Sequence, residues 1–361
     1  MAKTDILVIN PGSTSTKLGV YRNMELLFET TIRHDPDKLL SFGPIPQQKD
    51  YRIQFIQEML QENNYDLGQL KAVVARGGNI SGLHSGGYLV NEDFCIGVSD
   101  PEIPQHACTL GAPIAYSIAQ PLGIPAYIYD SPIGTDLTDV AKVSGFAGIE
   151  RVGLYHVLNS RAQAINYAEQ QGREYKDLSV IVCHLGGGIT VTVHKDGKII
   201  DGVSYDDGPM APERTGGIPL LFWNKLCLSG KYTLEELEKL VCGKGGLYSY
   251  LGTTDCRAVE QMIADGNEEA RLLYEAMAYQ VAKGIATASV ALKGKMDTII
   301  ITGGIAHSKM LTGMIMDYAA HIGPFTLMPG EDELFALASG ANRILEGKEE
   351  ASVYHLPGKE K

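Results

Sequence analysis

Short apolar runs, each ended by a polar or glycine-rich turn, open the chain and recur in its middle. Residues 5–10 read as a buried strand, 11–16 as a small polar turn, and 17–21 and 25–32 as two further strands. The same order returns about 175 residues later. The second copy comprises a buried strand, a glycine turn, an alternating strand, an Asp-Gly hairpin and a third strand, at 178–184, 186–188, 189–194, 196–197 and 198–204. This repeat is too long for a solenoid and predicts a duplicated domain.

Helices and short buried strands follow each copy, which predicts an α/β fold with mixed sheets. The additional strands are expected at 72–75, 126–129 and 298–302. Helices are expected at 268–292, where Leu272, Ala276, Tyr279, Lys283 and Ala286 recur turn after turn, and at 333–346, before Gly347. We expect one domain at 1–150 and a second, nucleotide-binding one at 151–340, with a ligand cleft between them. A C-terminal helix at about 340–361 is expected to pack back on the first.

Composition and charge narrow the class of protein. The chain has 361 residues, 44% hydrophobic and 20% charged, which is typical of a globular protein. Its net charge of -12 argues against a nucleic-acid or anionic-membrane partner. The six cysteines form no CxxC pair, which favours unpaired thiols in a reducing cytosol. The first apolar run is too short for a signal peptide, and no apolar run has transmembrane length, so we expect a cytoplasmic protein.

Three glycine-rich turns directly follow predicted buried strands. They are Asn10-Pro-Gly-Ser-Thr-Ser-Thr-Lys17, His184-Leu-Gly-Gly-Gly188 and Thr302-Gly-Gly-Ile305. Backbone N–H groups in such turns converge on anions, and hydroxyls add donors, so phosphate binding fits all three. Each alone is better explained as an ordinary tight turn, but three turns at matching strand ends favour phosphate binding. No GxxxxGK[ST] loop, no GxGxxG after a strand and no GxSxG elbow is present.

Charged residues near glycines or strand ends complete the candidate chemistry. Arg76-Gly-Gly78 and Arg214-Thr-Gly-Gly217 could hold a carboxylate or phosphate bidentately, although a surface arginine is the alternative for either. Asp130 follows a strand, where it could handle a metal or proton or simply cap a turn. The histidines at 106, 156 and 184 show no metal-ligand spacing, and each alone is better explained as a hydrogen-bonded side chain.

Together these motifs resemble the acetate/butyrate kinase family, within the actin, Hsp70 and sugar-kinase-like (ribonuclease H-like) group. The resemblance runs from Ile6 to about Leu345 and rests on the first two turns and on three later segments. The later segments are Pro212-Glu-Arg-Thr-Gly-Gly-Ile-Pro219, Thr302-Gly-Gly-Ile-Ala306 and Pro329-Gly-Glu-Asp-Glu-Leu334, which look more like the butyrate branch. It implies reversible, ATP-dependent and Mg2+-assisted phosphorylation of butyrate or a related short-chain fatty acid.

The resemblance also implies roles for individual residues. Arg76, Arg214, His106 and Asp130 would surround the acyl substrate and the transferring phosphoryl group. ATP or ADP would be bound by Asn10, Ser13, Ser15, Lys17, His184, Gly186, Gly187, Gly188, Gly303 and Gly304. Mg2+ would be held by Asn10 with Asp332 or Glu333. A homo-oligomer, dimeric or larger, is the default for such an enzyme.

One departure and two rival functions stand beside this interpretation. Acetate kinases carry Phe-His-Gly-Thr-Ser-His where this chain has Tyr155-His-Val-Leu-Asn-Ser160, so the role of the second histidine does not transfer. A kinase for sugars or other alcohols would share the fold but would need a base to deprotonate its hydroxyl substrate. A non-catalytic nucleotide sensor or chaperone-like ATPase would share it too.

Overall fold

Two compact units make up the chain. The computed structural model describes residues 3–78, 80–101, 103 and 106–358. Unit 1 comprises Met1–Gly134 and Asp332–Lys361, and unit 2 comprises Thr135–Glu331. The sequence placed these boundaries at 150 and 340. The chain joins unit 2 earlier because the N–H groups of Asp136 and Thr138 donate to the carbonyls of Ile199 and Ile200, at 2.9 and 3.1 Å.

The regular elements are as follows. The strands are β1 (Asp5–Pro11), β2 (Ser15–Arg22), β3 (Glu25–Arg33), β4 (Leu70–Arg76), β5 (Gly87–Leu89), β6 (Ala126–Tyr129), β7 (Ser179–Leu185), β8 (Ile189–Lys195), β9 (Lys198–Val203), β10 (Thr298–Gly303), β11 (Phe325–Pro329) and β12 (Ser352–Val353). The α-helices are α1 (Pro36–Ser41), α2 (Lys49–Glu62), α3 (Glu92–Val98), α4 (Gly111–Ala119), α5 (Asp139–Lys142), α6 (Val157–Gln170), α7 (Leu220–Cys227), α8 (Leu234–Val241), α9 (Gly246–Leu251), α10 (Cys256–Ala264), α11 (Glu268–Ser289), α12 (Lys309–Ala319) and α13 (Glu333–Leu345). Single 3-10 turns lie at Ile45–Gln48, Leu67–Gln69, Ala107–Leu110, Gln120–Leu122, Tyr175–Asp177, Val290–Leu292 and Gly304–His307.

The two sheets repeat one topology. In unit 1 the order is β12-β5-β6-β4-β1-β2-β3, and in unit 2 it is β11-β10-β7-β8-β9. The first three strands of each unit form an antiparallel meander, and β1 and β7 each pair in parallel with a later strand, β4 and β10 respectively. The duplicated α/β arrangement predicted from the alternating pattern is therefore confirmed.

The strand that carries the first turn of each unit is almost entirely buried. Leu7, Val8 and Ile9 of β1 and Val180, Ile181 and Val182 of β7 are fully buried. Continuous apolar runs are expected for strands that are covered on both faces. The polar turns that follow β1 and β7 are thus held at the ends of rigid central strands.

Helices supply the remaining core of each unit. In unit 2, α11 buries Tyr274, Met277, Val281 and Ile285 in the core around the sheet. In unit 1, α13 packs against β1 and β4. It begins at Glu333 because the Asp332 carboxylate accepts a hydrogen bond from the Phe335 N–H at 2.9 Å, a standard N-cap. This helix brings a carboxylate next to the ends of β1 and β4.

Candidate active site

In unit 1, a carboxylate joins two polar residues that lie 323 and 257 residues away in the chain. The Glu333 carboxylate accepts a hydrogen bond from the Asn10 amide and forms an ion pair with the Arg76 guanidinium, each at 2.5 Å. Asn10 lies near the end of β1, and Arg76 ends the neighbouring parallel strand β4. The carboxyl ends of adjacent parallel strands are where open α/β sheets place ligands. Three residues predicted from the sequence are therefore brought together.

The first turn presents its hydroxyl and amine groups beside Asn10. Asn10 pairs with Lys17 across the β1–β2 ladder, so their side chains share one face of the sheet. Ser15 lies two residues before Lys17 and therefore faces the same way. The Lys17 ammonium lies 3.5 Å from Glu29 and is half exposed, and Ser13 is exposed on the turn itself. These groups are available to an anion at the end of the sheet.

His106 and Asp130 also lie in unit 1, and each accepts a hydrogen bond from a backbone N–H group. His106 precedes the 3-10 turn Ala107–Leu110, and its Nδ1 accepts from the Cys108 N–H at 3.3 Å. Desolvation, and secondly the Arg76 guanidinium, lower the pKa of His106, which favours the neutral ring. Asp130 is 2% exposed and left-handed, with φ of 48°, and its carboxylate accepts from the Gly86 N–H at 2.8 Å. Its role in the chemistry stays a prediction.

Of the two acidic residues predicted to hold Mg2+, Asp332 and Glu333, only Glu333 contacts Asn10. Asn10 and Glu333 share a site, whereas Asp332 caps α13. Among the described residues, no group of three or more His, Cys, Asp or Glu side chains is arranged to hold a metal ion. Mg2+ typically takes one or two carboxylates together with waters and substrate phosphates rather than an all-protein cage. An amide and one carboxylate at the end of β1 fit that preference.

In unit 2, the glycine turn after β7 is packed against Arg214. The turn is closed by a hydrogen bond from the Gly186 N–H to the Gly188 carbonyl at 3.0 Å. A Cβ built on Gly188 would clash with the Arg214 guanidinium, so this glycine makes room for the arginine. The guanidinium carbon also lies 5.7 Å from the centre of the Tyr205 ring. The buried Nε of Arg214 has no hydrogen-bond partner within the described residues. An unmatched donor beside a glycine turn is what an anion site requires.

A polar network lies behind this turn. His184, 2% exposed, stacks on His156 with ring centres 3.9 Å apart. Its Nδ1 lies 2.8 Å from the Asn159 amide, which also donates to the Thr302 hydroxyl at 3.3 Å. Its Nε2 lies 3.7 Å from the Glu331 carboxylate. The central turn and the end of β10 are thus linked through side chains.

Ser160 follows Asn159 and stands where acetate kinases carry the second histidine of their motif. It is fully buried, and its hydroxyl donates to the Val157 carbonyl within α6 at 3.1 Å. A serine that donates to a carbonyl of the preceding turn is satisfied by its own helix. Sequence reasoning passed over Asn159, although it stands inside the segment that was compared.

The third glycine turn borders a cavity. Gly303 has φ of 88°, and a Cβ there would clash with the backbone of Leu185, so only glycine fits. A cavity of about 530 Å³ in unit 2 is bounded by the second and third turns and by the start of α10. Its lining includes Gly187, Thr254, Asp255, Arg257, Gly304 and Ser308. This volume suits a small organic ligand.

Comparison with known proteins identifies the family of this chain. A model described as the acetokinase family matches residues 142–326. Butyrate kinase 1 of Clostridium acetobutylicum is 43% identical over 355 residues, which cover 97% of this chain and 99% of that protein. The chain belongs to the acetokinase family. It is therefore an ATP-dependent kinase whose phosphoryl acceptor is a short-chain carboxylate.

Solved structures of related kinases confirm the fold. The crystal structure of acetate kinase from Porphyromonas gingivalis matches with a TM-score of 0.77 and 19% identity, covering 95% of this kinase and 100% of that chain. That of a propionate kinase from Francisella tularensis matches with a TM-score of 0.74 and 20% identity, covering 93% and 98%. At these identities the likeness concerns the fold. No helix in the described ranges is both long and apolar enough to span a membrane.

Proposed function

We propose that this kinase transfers the γ-phosphoryl group of ATP to butyrate or a closely related short-chain fatty acid, forming an acyl phosphate and ADP, and that it also runs in reverse. The observation that carries the proposal is the 43% identity, over nearly all of both chains, with a butyrate kinase. One carboxylate oxygen attacks the γ-phosphorus in line while the bond to the ADP oxygen breaks. A carboxylate is already ionised at neutral pH, so no base has to remove a proton.

Positive charge, rather than base catalysis, is what this reaction demands from the protein. Two anions must be held in line, and the charge on the transferring group must be stabilised. Arg76 and Arg214 supply that charge in our proposal, with His106 and Asp130 at the acyl and phosphoryl positions. The unpartnered Nε of Arg214 supports its part, because an anion would satisfy that donor.

We propose that the nucleotide binds at the glycine-rich turns. The residues proposed for its phosphates are Asn10, Ser13, Ser15 and Lys17 and, after β7, His184, Gly186, Gly187 and Gly188. The adenosine would occupy the 530 Å³ cavity beside Gly303 and Gly304, whose size suits it. Asn10 and Glu333 would hold Mg2+, and Asp332 would act only as the cap of α13. When bound, the ion neutralises charge on the phosphate oxygens.

Assembly and location extend the same proposal. We propose a homo-oligomer, supported by the apolar first turn of α7, where Leu220, Leu221 and Phe222 are 68%, 77% and 71% exposed. A cytoplasmic location is supported by the six cysteines, which are all unpaired in the structure.

A hydroxamate assay with ATP, Mg2+ and acids from acetate to valerate, including isobutyrate, tests the function. We expect most acyl phosphate from the four-carbon acids. Arg214→Ala should lower turnover by ~10²-fold or more. Arg271→Ala, which removes an exposed arginine paired with Glu268 and Glu275, is the matched control and should not change turnover. Failure of every acid while ATP still binds would overturn the proposal in favour of a nucleotide sensor.

A further inference from the structure

A fully buried arginine lies beneath the first turn. Arg52 of α2 is 0% exposed. Its guanidinium donates to the carbonyl oxygens of Gly12, Ser15 and Ser13, at 2.9, 3.0 and 3.2 Å. It also donates to the Thr16 hydroxyl at 3.1 Å and to the Gln48 side chain at 3.0 Å. One side chain therefore binds four residues of the turn.

The charge of Arg52 is balanced by dipoles rather than by a carboxylate. Within the described residues it forms no ion pair, and its neighbours in the turn are carbonyls and a hydroxyl. A buried charge is costly unless hydrogen bonds compensate it, and arginine stays protonated in proteins even where burial lowers its pKa, as here. The turn thus rests on a permanent positive charge.

Because the peptide group is planar, the contacts of Arg52 with the turn carbonyls also fix the direction of the neighbouring N–H groups. In a planar trans peptide the C=O and the following N–H point in opposite directions. Because the Gly12 and Ser13 carbonyls point toward Arg52, the N–H groups of Ser13 and Thr14 point away from it. Among the described residues neither N–H group donates to a protein acceptor, and both residues are exposed. Successive outward N–H groups form a concave anion site.

We propose that Arg52 is a positioning residue for ATP phosphates. It holds the Gly12 and Ser13 carbonyls inward, so that the Ser13 and Thr14 N–H groups face the phosphates, and it adds positive charge behind them. The proposal rests on the ATP-dependent function above. It predicts that Arg52 affects the affinity for phosphate-bearing ligands while leaving the binding of adenosine alone unchanged.

Calorimetric titration of the full chain with ATP, ADP and adenosine tests this prediction. Arg52→Gln removes the charge and the fork, and we expect ATP and ADP to bind about 10- to 100-fold more weakly, the value of one or two charge-assisted hydrogen bonds. Adenosine affinity should stay within about twofold, and the KM for ATP should rise without a matching rise in the KM for the acid.

Arg22→Gln is the matched control. Arg22 ends β2 in the same unit, and it pairs with Asp5 at the opposite end of β1 from the turn, at 2.8 and 2.6 Å. We expect this variant to bind all three ligands like the wild type. Arg52→Lys keeps a charge but loses the planar fork, so it should fall between Arg52→Gln and the wild type. If Arg52→Gln fails to fold, Arg52→Lys decides the question.

Two results would overturn the inference: unchanged ATP affinity in a folded Arg52 variant, or an equal loss of ATP and adenosine affinity. The latter would mean that Arg52 only maintains the fold. The binding measurements need no turnover. If no acid is phosphorylated but the selective loss of ATP affinity is seen, the proposed function fails and the role of Arg52 stands.

Discussion

The packing of Arg214 on Gly188 allows a quantitative test of how much the activity depends on the position of the Arg214 guanidinium. A Cβ at position 188 would lie 2.8 Å from Nε of Arg214 and closer still to its Nη1 and Cζ. Ordinary contact needs about 3.5–4.0 Å, so the guanidinium must move by about 1 Å. The backbone itself accepts alanine, because Gly188 does not have a positive φ. Gly188→Ala therefore displaces one side chain without straining the main chain.

A displacement of that size lowers the rate much more than the stability. Misplacing a group by 1 Å reduces catalysis by ~10²-fold, or ~2.7 kcal/mol of transition-state stabilisation. The free energy of unfolding should change by no more than ~1 kcal/mol, because a tolerated Gly→Ala change acts mainly on the unfolded chain. The assay is steady-state acyl phosphate formation, accompanied by urea unfolding of the same sample.

A double-mutant cycle separates this effect from a general disturbance of the turn. Once Arg214 is alanine, the Cβ at 188 has nothing to displace, so Gly188→Ala should cost no further activity in that background. Gly313→Ala in α12, where a Cβ would meet nothing within 4 Å, is the control. Near-normal turnover of Gly188→Ala, or an additive loss in the double variant, would refute the reasoning.

Three further predictions concern unit 1. Glu333→Gln should raise the Mg2+ concentration for half-maximal activity by ~10–100-fold, since it removes the negative charge of the carboxylate proposed to hold the ion; a Mg2+ titration measures this. Burial, and secondly Arg52, lower the pKa of His34 to about 4 from 6.5, so this buried ring stabilises the fold above pH 6.5 and the contribution is lost as the pH falls toward 4. Between pH 7 and 4.5 the wild type should lose about 2–3 kcal/mol more unfolding free energy than His34→Gln, measured with urea. Gly340→Ala would place a Cβ 2.5 Å from the Tyr129 ring and should destabilise the protein by about 1–3 kcal/mol, seen in the same experiment.

Each of these predictions has a contradicting outcome. Asp332→Asn is the control for Glu333→Gln, and an equal change in Mg2+ dependence in both variants would place the ion elsewhere. Parallel pH curves for the wild type and His34→Gln would mean that another group titrates. An unchanged urea midpoint for Gly340→Ala would show that α13 yields to the added methyl group.

Local sequence patterns predicted the repeated meander, but they could not predict contacts between residues far apart in the chain. Alternation and the Asp196-Gly197 hairpin signal are local features, so both copies were visible. Arg76 and Glu333 meet only because α13 packs back on β1, and no short-range pattern reports that contact. Arg52 lies on an ordinary helix with no glycine or strand end beside it, so nothing marked it.

The long helix α11 shows the same limit within one element. Periodicity predicted the helix, and it begins at Glu268 as expected. However, the recurring positions that suggested it include Leu272 and Tyr279, which are 64% and 48% exposed. The buried side is the one that carries Tyr274 and Met277. Both faces contain apolar residues, so hydropathy alone could not decide which faces the core.

The return of α13 to unit 1 imposes an order on synthesis. During translation the ribosome releases the meander of unit 1 first and all of unit 2 next, and only then the residues from Asp332 onward. Until Glu333 emerges, Arg76 and Asn10 lack their shared carboxylate, and β1 lacks the helix that covers it. A nascent or prematurely terminated chain can therefore complete unit 2 while its first sheet still lacks α13, so kinase activity cannot begin before the residues from Asp332 onward are released.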